Sequence, residues 1–152
     1  MLRQRLNEAF KEAMRAKDQR AVSTIRLIMA ALKDRDIAAR DRGITDGVNE
    51  AEILGMLQTM VKQRREAIVM YEQGGRLELA QQEAEEIVII EGFMPKQLDE
   101  AEARAAIADL VTEMEASSVK DMGRVMAELR TRYAGRMDFA KASALVREKL
   151  AC

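Results

Sequence analysis

Histidine and tryptophan are absent from this chain of 152 residues, proline occurs once, at Pro95, and cysteine once, at Cys152. Each shortage excludes something. Without histidine, the usual group for general acid–base catalysis near neutral pH is missing. Ser23, Ser117, Ser118 and Ser143 have no imidazole with which to form a hydrolytic triad. An active site would need a Ser–Lys pair or a glutamate raised by burial; the expectation is a chain without catalytic residues or cofactor. One cysteine allows no disulfide within the chain, and a His/Cys metal site has no ligands; both fit a reducing cytosol. Glu83, Glu85 and Glu86 could hold a hard cation, but such a run reads better as a solvated helix face, so no metal is expected. Gly74–Gly75 is the one glycine pair and matches no phosphate-binding loop. The longest apolar run, LIMAAL at 27–32, is too short to span a bilayer. The opening MLRQRLNEAF carries charges where a secretory signal needs an apolar core. The expected setting is cytoplasmic, with no membrane partner.

What the chain does contain is helix-forming: Ala, Leu, Met, Glu, Gln, Lys and Arg dominate. No alternating β-branched run competes, so the predicted class is all-α. Leu2, Leu6, Ala9, Phe10 and Ala13 give a first helix over about 2–17. A second, over about 19–41, is apolar on a wide arc through Val22, Ile25, Leu27, Ile28, Met29 and Leu32. After the turn at 43–49, Asn49 caps a third helix with Glu52 as its capping-box partner. That helix carries Leu54, Leu57, Val61, Ile68 and Tyr71, with Arg64 on the same stripe. Arg64 reads either as an internal ion pair with Glu86 or Glu91, or as an anion site between helices. A fourth helix, about 77–91, turns Ala80, Ala84, Ile87 and Val88 inward. Pro95 ends this half. Asp99, Ser118 and Asp138 then cap three shorter helices. The predicted organisation is a four-helix subdomain over 1–94 and a three-helix subdomain over 95–152.

Net charge is −1, but residues 1–42 sum to +5, 43–75 to −2, 76–116 to −8 and 117–152 to +4. Basic ends around an acidic middle mark either an anionic partner or internal neutralisation. In the sixth predicted helix Met122, Val125, Met126, Leu129 and Tyr133 point inward. Gly123 and Ala127 lie on a flank with Arg130, and Lys120 and Arg124 lie opposite the core. A small-residue strip bordered by positive charge suits close approach of a sugar–phosphate backbone. It equally suits a notch where another helix of the same unit crosses. With five aromatics, most on core stripes, base stacking is not expected. Any RNA would be held by phosphate and shape.

Six words in order resemble the GatB/YqeY family, and specifically its stand-alone YqeY-like members. They are IRLIMAALKDRDI (25–37), KQRREAI (62–68), YEQGGRLELAQQEAEEI (71–87), FMPKQLDEAE (93–102), DMGRVMAEL (121–129) and AGRMD (134–138). Phe139 departs from the family's pattern, which favours a small or polar residue there. The resemblance implies an all-helical pair of subdomains, similar to the tail of the B subunit of the tRNA-dependent Asp/Glu-tRNA amidotransferase. It also implies a non-catalytic accessory role in binding tRNA, in a bacterial type of translation. By that likeness Lys120, Gly123, Arg124 and Arg136 are expected to touch tRNA, followed by Arg130, Arg132 and Lys141, with Gly135 as a second close-approach glycine. Two rivals stand beside this reading. One is a protein–protein adaptor docking on an aminoacyl-tRNA synthetase or amidotransferase. The other is an enzyme with a homology-assigned carbon–nitrogen ligase activity using glutamine as amido-N-donor.

Overall fold

The computed structural model describes residues 1–151, and Cys152 lies outside the described residues. Among the described residues there are seven α-helices, two 3-10 turns and no strand. The helices are α1 (Leu2–Arg15), α2 (Gln19–Ala39), α3 (Glu50–Gln73), α4 (Leu77–Glu91), α5 (Glu100–Glu113), α6 (Met122–Arg132) and α7 (Phe139–Ala151). Packing divides the chain into two compact units, the first Met1–Met94 and the second beginning at Pro95.

In the first unit α3 and α4 form the most extensive helix pair, and α2 packs on both α1 and α4. Its core gathers Leu6, Ile25, Ile28, Ile53, Leu57 and Ile90, among others. Local chemistry sets the helix boundaries. The Asp18 carboxylate accepts the Ala21 N–H at the start of α2, and Asn49 Oδ1 accepts the Glu52 N–H at the start of α3. Only half of the expected capping box forms at Asn49, because the Glu52 carboxylate turns to Arg42, 3.1 Å away. Two apolar side chains depart from the expected core. Val88 is 72% exposed and Leu27 48%. In α4 the inward stripe runs Ala80, Glu86, Ile87 and Ile90. Val88 sits 100° beyond Ile87 and off that stripe.

Glu86 takes its inward place because α3 offers it a cation. Arg64 Nε donates to Glu86 Oε2 at 2.9 Å, and Arg64 Nη1 donates to the Met60 carbonyl. Glu83 lies 3.9 Å from the same guanidinium. Arg64 is therefore the internal ion pair, with Glu86 as partner, while Glu91 pairs with Arg65 instead. The carboxylates at 83, 85 and 86 are correspondingly not one solvated face: Glu86 is buried, Glu83 is partly buried, and Glu85 pairs with Arg20. Burial, reinforced by Glu86, pushes the Glu83 carboxyl above its ordinary range.

A second polar clamp ties α1 to α2. Arg3 makes a two-pronged contact with Asp36, at 2.7 and 2.8 Å, and donates to the Val48 carbonyl. Asp36 also accepts the Val48 N–H. The Arg3 hydrogen bond foremost, with the Val48 N–H, holds the Asp36 carboxyl down at about 2. A carboxylate with a depressed folded-state pKa stabilises the fold above its unfolded value, and that stability is lost as pH falls towards the folded value. Between about pH 4 and pH 2 this group should cost the protein on the order of 1–2 kcal/mol. Urea unfolding across that window should show the loss, and Asp36→Asn should be weaker at pH 7 yet flatter in acid.

In the second unit α5, α6 and α7 pack around Ile107, Leu110, Val125, Leu129 and Val146. A full capping box starts α5: Asp99 accepts the Glu102 N–H while Glu102 accepts the Asp99 N–H. Asp138 Oδ1 accepts from the Ala140 and Lys141 N–H groups and so starts α7.

Candidate nucleic-acid interface

The interface candidate is the outward side of α6 with the turns at its two ends. Its start is fixed by Asp121, whose carboxylate accepts the N–H of Ser117 at 2.9 Å and of Ser118 at 3.4 Å. The Ser117 N–H foremost, and then Arg124, hold the Asp121 carboxyl below its ordinary range. Val125, Met126 and Leu129 face the core and are buried. At 100° per residue Gly123, Ala127 and Thr131 form one row that runs from the flank onto the outer side, and all three are exposed.

Gly123 decides between the two readings of that row. A Cβ added there would meet nothing within 4 Å. No neighbouring helix crosses at this point, so the notch reading is removed. A helical glycine in open space costs about 1 kcal/mol relative to alanine and gains no packing in return. Thr131 extends the row by one more four-residue step, which sequence reading missed although the 123–127–131 spacing was visible. Its hydroxyl donates to the Ala127 carbonyl, which keeps the row smooth.

The eight residues singled out from sequence fare differently. Lys120 and Lys141 are exposed and carry no ion pair among the described residues. Arg130 lies over the Phe139 ring, 5.9 Å from its centroid, and Arg136 over the Tyr133 ring at 5.8 Å. An aromatic face steadies a guanidinium without cancelling its charge. Phe139 thus serves as a platform for Arg130. Arg136 is held further by its Nε donating to the Lys96 carbonyl, and its own carbonyl accepts the Leu98 N–H.

Arg124 is exposed but shared: it contacts Asp121 at 3.1 Å and the Met114 carbonyl at 3.4 Å. Arg132 is committed outright, with two contacts to Glu113 at 2.7 and 2.8 Å and one to Glu128 at 2.8 Å. Those hydrogen bonds raise the Arg132 pKa above its ordinary value and lower that of Glu113. Arg132 is therefore a structural cation that ties α6 to α5. Gly135 is also not a close-approach surface. It is buried, its φ is +74°, and its carbonyl accepts a hydrogen bond from the Gln97 side chain. Glycine is there because the turn needs a left-handed residue.

What remains is a smooth row bordered by Lys120, Arg124 and Arg130, with Arg136 and Lys141 on the segments that follow α6. Such an array offers positive charge along an unobstructed surface. Among the described residues no group of three or more Asp, Glu, Cys or His is placed to hold a metal ion. No helix among them is long and apolar enough to cross a membrane.

Comparison with known proteins agrees with the words that carried the resemblance. The chain is 33% identical over 105 residues to altered inheritance of mitochondria protein 41 of Eremothecium gossypii, covering 68% of this chain and 55% of that protein. It is 28% identical over 115 residues to the protein of the same name from Lachancea thermotolerans, covering 74% and 59% respectively. The chain thus spans little more than half the length of these curated relatives. They are mitochondrial by name, so this likeness lends no support to a bacterial or cytoplasmic setting. Residues 3–150, nearly everything that folds into the two units, match the family described as Yqey-like protein. On that match, with the all-helical architecture it accompanies, the chain belongs to the YqeY-like family.

Proposed function

We propose that this chain is a non-catalytic accessory protein that binds tRNA through phosphate and shape contacts. The observation that carries the reading is the open row Gly123–Ala127–Thr131, bordered by Lys120, Arg124 and Arg130. A rigid polyanion can lie against such a row with its phosphates at the flanking cations. Five aromatics in the whole chain, with Phe93 buried and Phe139 and Tyr133 beneath arginines, leave few faces for stacking single-stranded bases. A folded, double-helical RNA is the better match. The link to tRNA and to translation rests on the GatB/YqeY resemblance.

Gly123→Leu tests the row directly. With open space at this position and helical backbone, leucine should leave the fold intact and stabilise it by up to about 1 kcal/mol. It should nevertheless weaken tRNA binding about tenfold or more, because a bulky side chain would hold the backbone away from the surface. Thermal unfolding and a tRNA titration on the same sample separate the two effects. Unchanged affinity would remove the close-approach role of the glycine.

One observation favours an adaptor reading instead. Val69, Met70 and Leu77 are all more than half exposed around the α3–α4 turn, an apolar surface that a protein partner such as a synthetase or amidotransferase could cover. Salt separates the readings, since an apolar interface responds little to ionic strength while phosphate contacts respond steeply. The enzyme alternative, a glutamine-dependent carbon–nitrogen ligase, predicts amide formation by the purified chain; reproducible turnover would displace the non-catalytic assignment.

A further inference from the structure

The first unit carries a basic feature that the α6 surface does not account for. Where α1 turns into α2, an open groove of about 630 Å³ is lined by Lys17, Arg20 and Arg26, with Gln19 and Ser23 between them and no acidic side chain in the lining. Lys17 occupies the residue after the α1 cap with φ +57°, a position at which glycine is the common choice. The turn is closed by the Lys17 N–H to the Met14 carbonyl and the Asp18 N–H to the Ala13 carbonyl. A lysine in left-handed backbone costs about 1 kcal/mol.

The other two cations remain available. Arg26 lies 5.6 Å from the Phe10 ring centroid, which orients it and leaves its charge unspent. Arg20 contacts Glu85 at 3.2 Å, but both side chains are more than a third exposed. An exposed pair of this kind is worth about 1 kcal/mol or less and yields readily to a competing anion. Gln19 is exposed and offers a neutral amide donor beside them.

We infer that this groove takes a backbone phosphate of a folded RNA, as a second contact point carried by the first unit. The groove is open and not enclosed, so it lacks the walls that small-molecule sites use to bury their ligands. A phosphodiester presented by a larger molecule needs no such walls. Lys17, Arg20 and Arg26 are three of the eleven basic residues in the net-positive segment 1–42. The inference rests on the tRNA-binding reading, and the test is arranged so that the two can fail separately.

The full-length protein is titrated with bulk tRNA between 50 and 200 mM NaCl as wild type and as three double variants: Lys17→Gln/Arg26→Gln, Lys33→Gln/Lys62→Gln and Lys120→Glu/Arg124→Glu. The second has the same charge change as the first but lies outside the groove lining. The groove variant should bind roughly sixfold to eightfold more weakly at 100 mM salt, and its log–log salt slope should fall by roughly 0.9, the share of one phosphate. The Lys33/Lys62 control should change by less than about threefold, since it loses diffuse charge and no contact. Lys17→Arg/Arg26→Lys, which retains both charges, should restore most of the binding; failure to do so with wild-type thermal stability would count against the groove. If the groove variant keeps wild-type affinity and slope while Lys120→Glu/Arg124→Glu does not bind, the groove inference is overturned and the α6 reading stands. If neither variant loses affinity, both are overturned. Equal losses in the groove variant and its control would mean net charge and no site. Saturation of the groove by millimolar inorganic phosphate, seen as backbone amide shifts at 17–26 without any effect of the variant on tRNA, would make it a small-anion site and overturn the RNA assignment.

Discussion

Lys120→Glu/Arg124→Glu should lower tRNA affinity by on the order of a hundredfold at 0.1 M salt while leaving helix content unchanged. Each lost phosphate contact forfeits a released counterion, worth roughly sixfold to eightfold at this salt, and reversal of sign adds repulsion. Among the described residues Lys120 has no ion-pair partner to lose, so its substitution should act on anion binding rather than on the fold. Arg124 does have one: its guanidinium contacts Asp121, which organises the first turn before α6. Placing a glutamate beside Asp121 should cost little stability, because the pair is exposed on the arginine side. Lys120→Glu/Lys141→Glu avoids even that and should still bind weakly. By contrast Arg132→Ala should act on stability, since its three hydrogen bonds all go to the protein's own carboxylates.

Arg64→Met should destabilise the first unit by roughly 3 kcal/mol or more, an effect of breaking a buried pair from one side. Glu86, 6% exposed, would be left without its 2.9 Å partner, and Glu83 would lose the attraction that now offsets its burial. Replacing both partners with apolar side chains, Arg64→Met/Glu86→Leu, should recover most of the loss, because no orphaned charge remains. Acid should help the single variant. A carboxyl whose folded-state pKa is raised favours the folded protein when protonated, and that contribution is lost as pH rises through the raised value. Glu83 already behaves in this direction. Without Arg64 the shift grows, so urea unfolding of Arg64→Met should show stability increasing from pH 7 to pH 5. Wild type should change far less over the same range.

The helices were legible in the sequence because their signals are local. Asn49, Asp99 and Asp138 each accept a nearby backbone N–H, as their type and position imply, whereas Ser118 precedes the 3-10 turn Val119–Asp121 and does not cap α6, which begins behind Asp121. Where reading failed, a partner from another element had intervened. Glu52 belongs to Arg42 and not to the Asn49 cap, because the chain before α3 brings that arginine within 3.1 Å. Val88 looks like core in α4, yet the stripe turns towards Glu86 to meet Arg64. Neither pairing leaves a periodic trace.

The candidate surface was legible to the same extent and for the same reason. The row Gly123–Ala127 and its flanking Lys120 and Arg124 follow from 3.6-residue geometry alone. Whether Gly123 is covered does not, since that depends on where α5 and α7 pack. Charge counting also could not tell a free arginine from a committed one. Arg130 and Arg132 are two residues apart, but Arg130 rests on Phe139 and Arg132 is bound by Glu113 and Glu128. The Lys17, Arg20 and Arg26 groove shows in the sequence only as net charge, because its shape comes from the turn at Lys17.

The affinity of the wild-type chain for tRNA, measured at a series of salt concentrations from 50 to 200 mM, tests the phosphate-and-shape account most directly. Engagement of about four phosphates predicts a linear log–log decline amounting to roughly a hundredfold, with a shallower slope for Lys120→Glu/Arg124→Glu. A flat profile, or a double variant that follows the wild-type line, would contradict it.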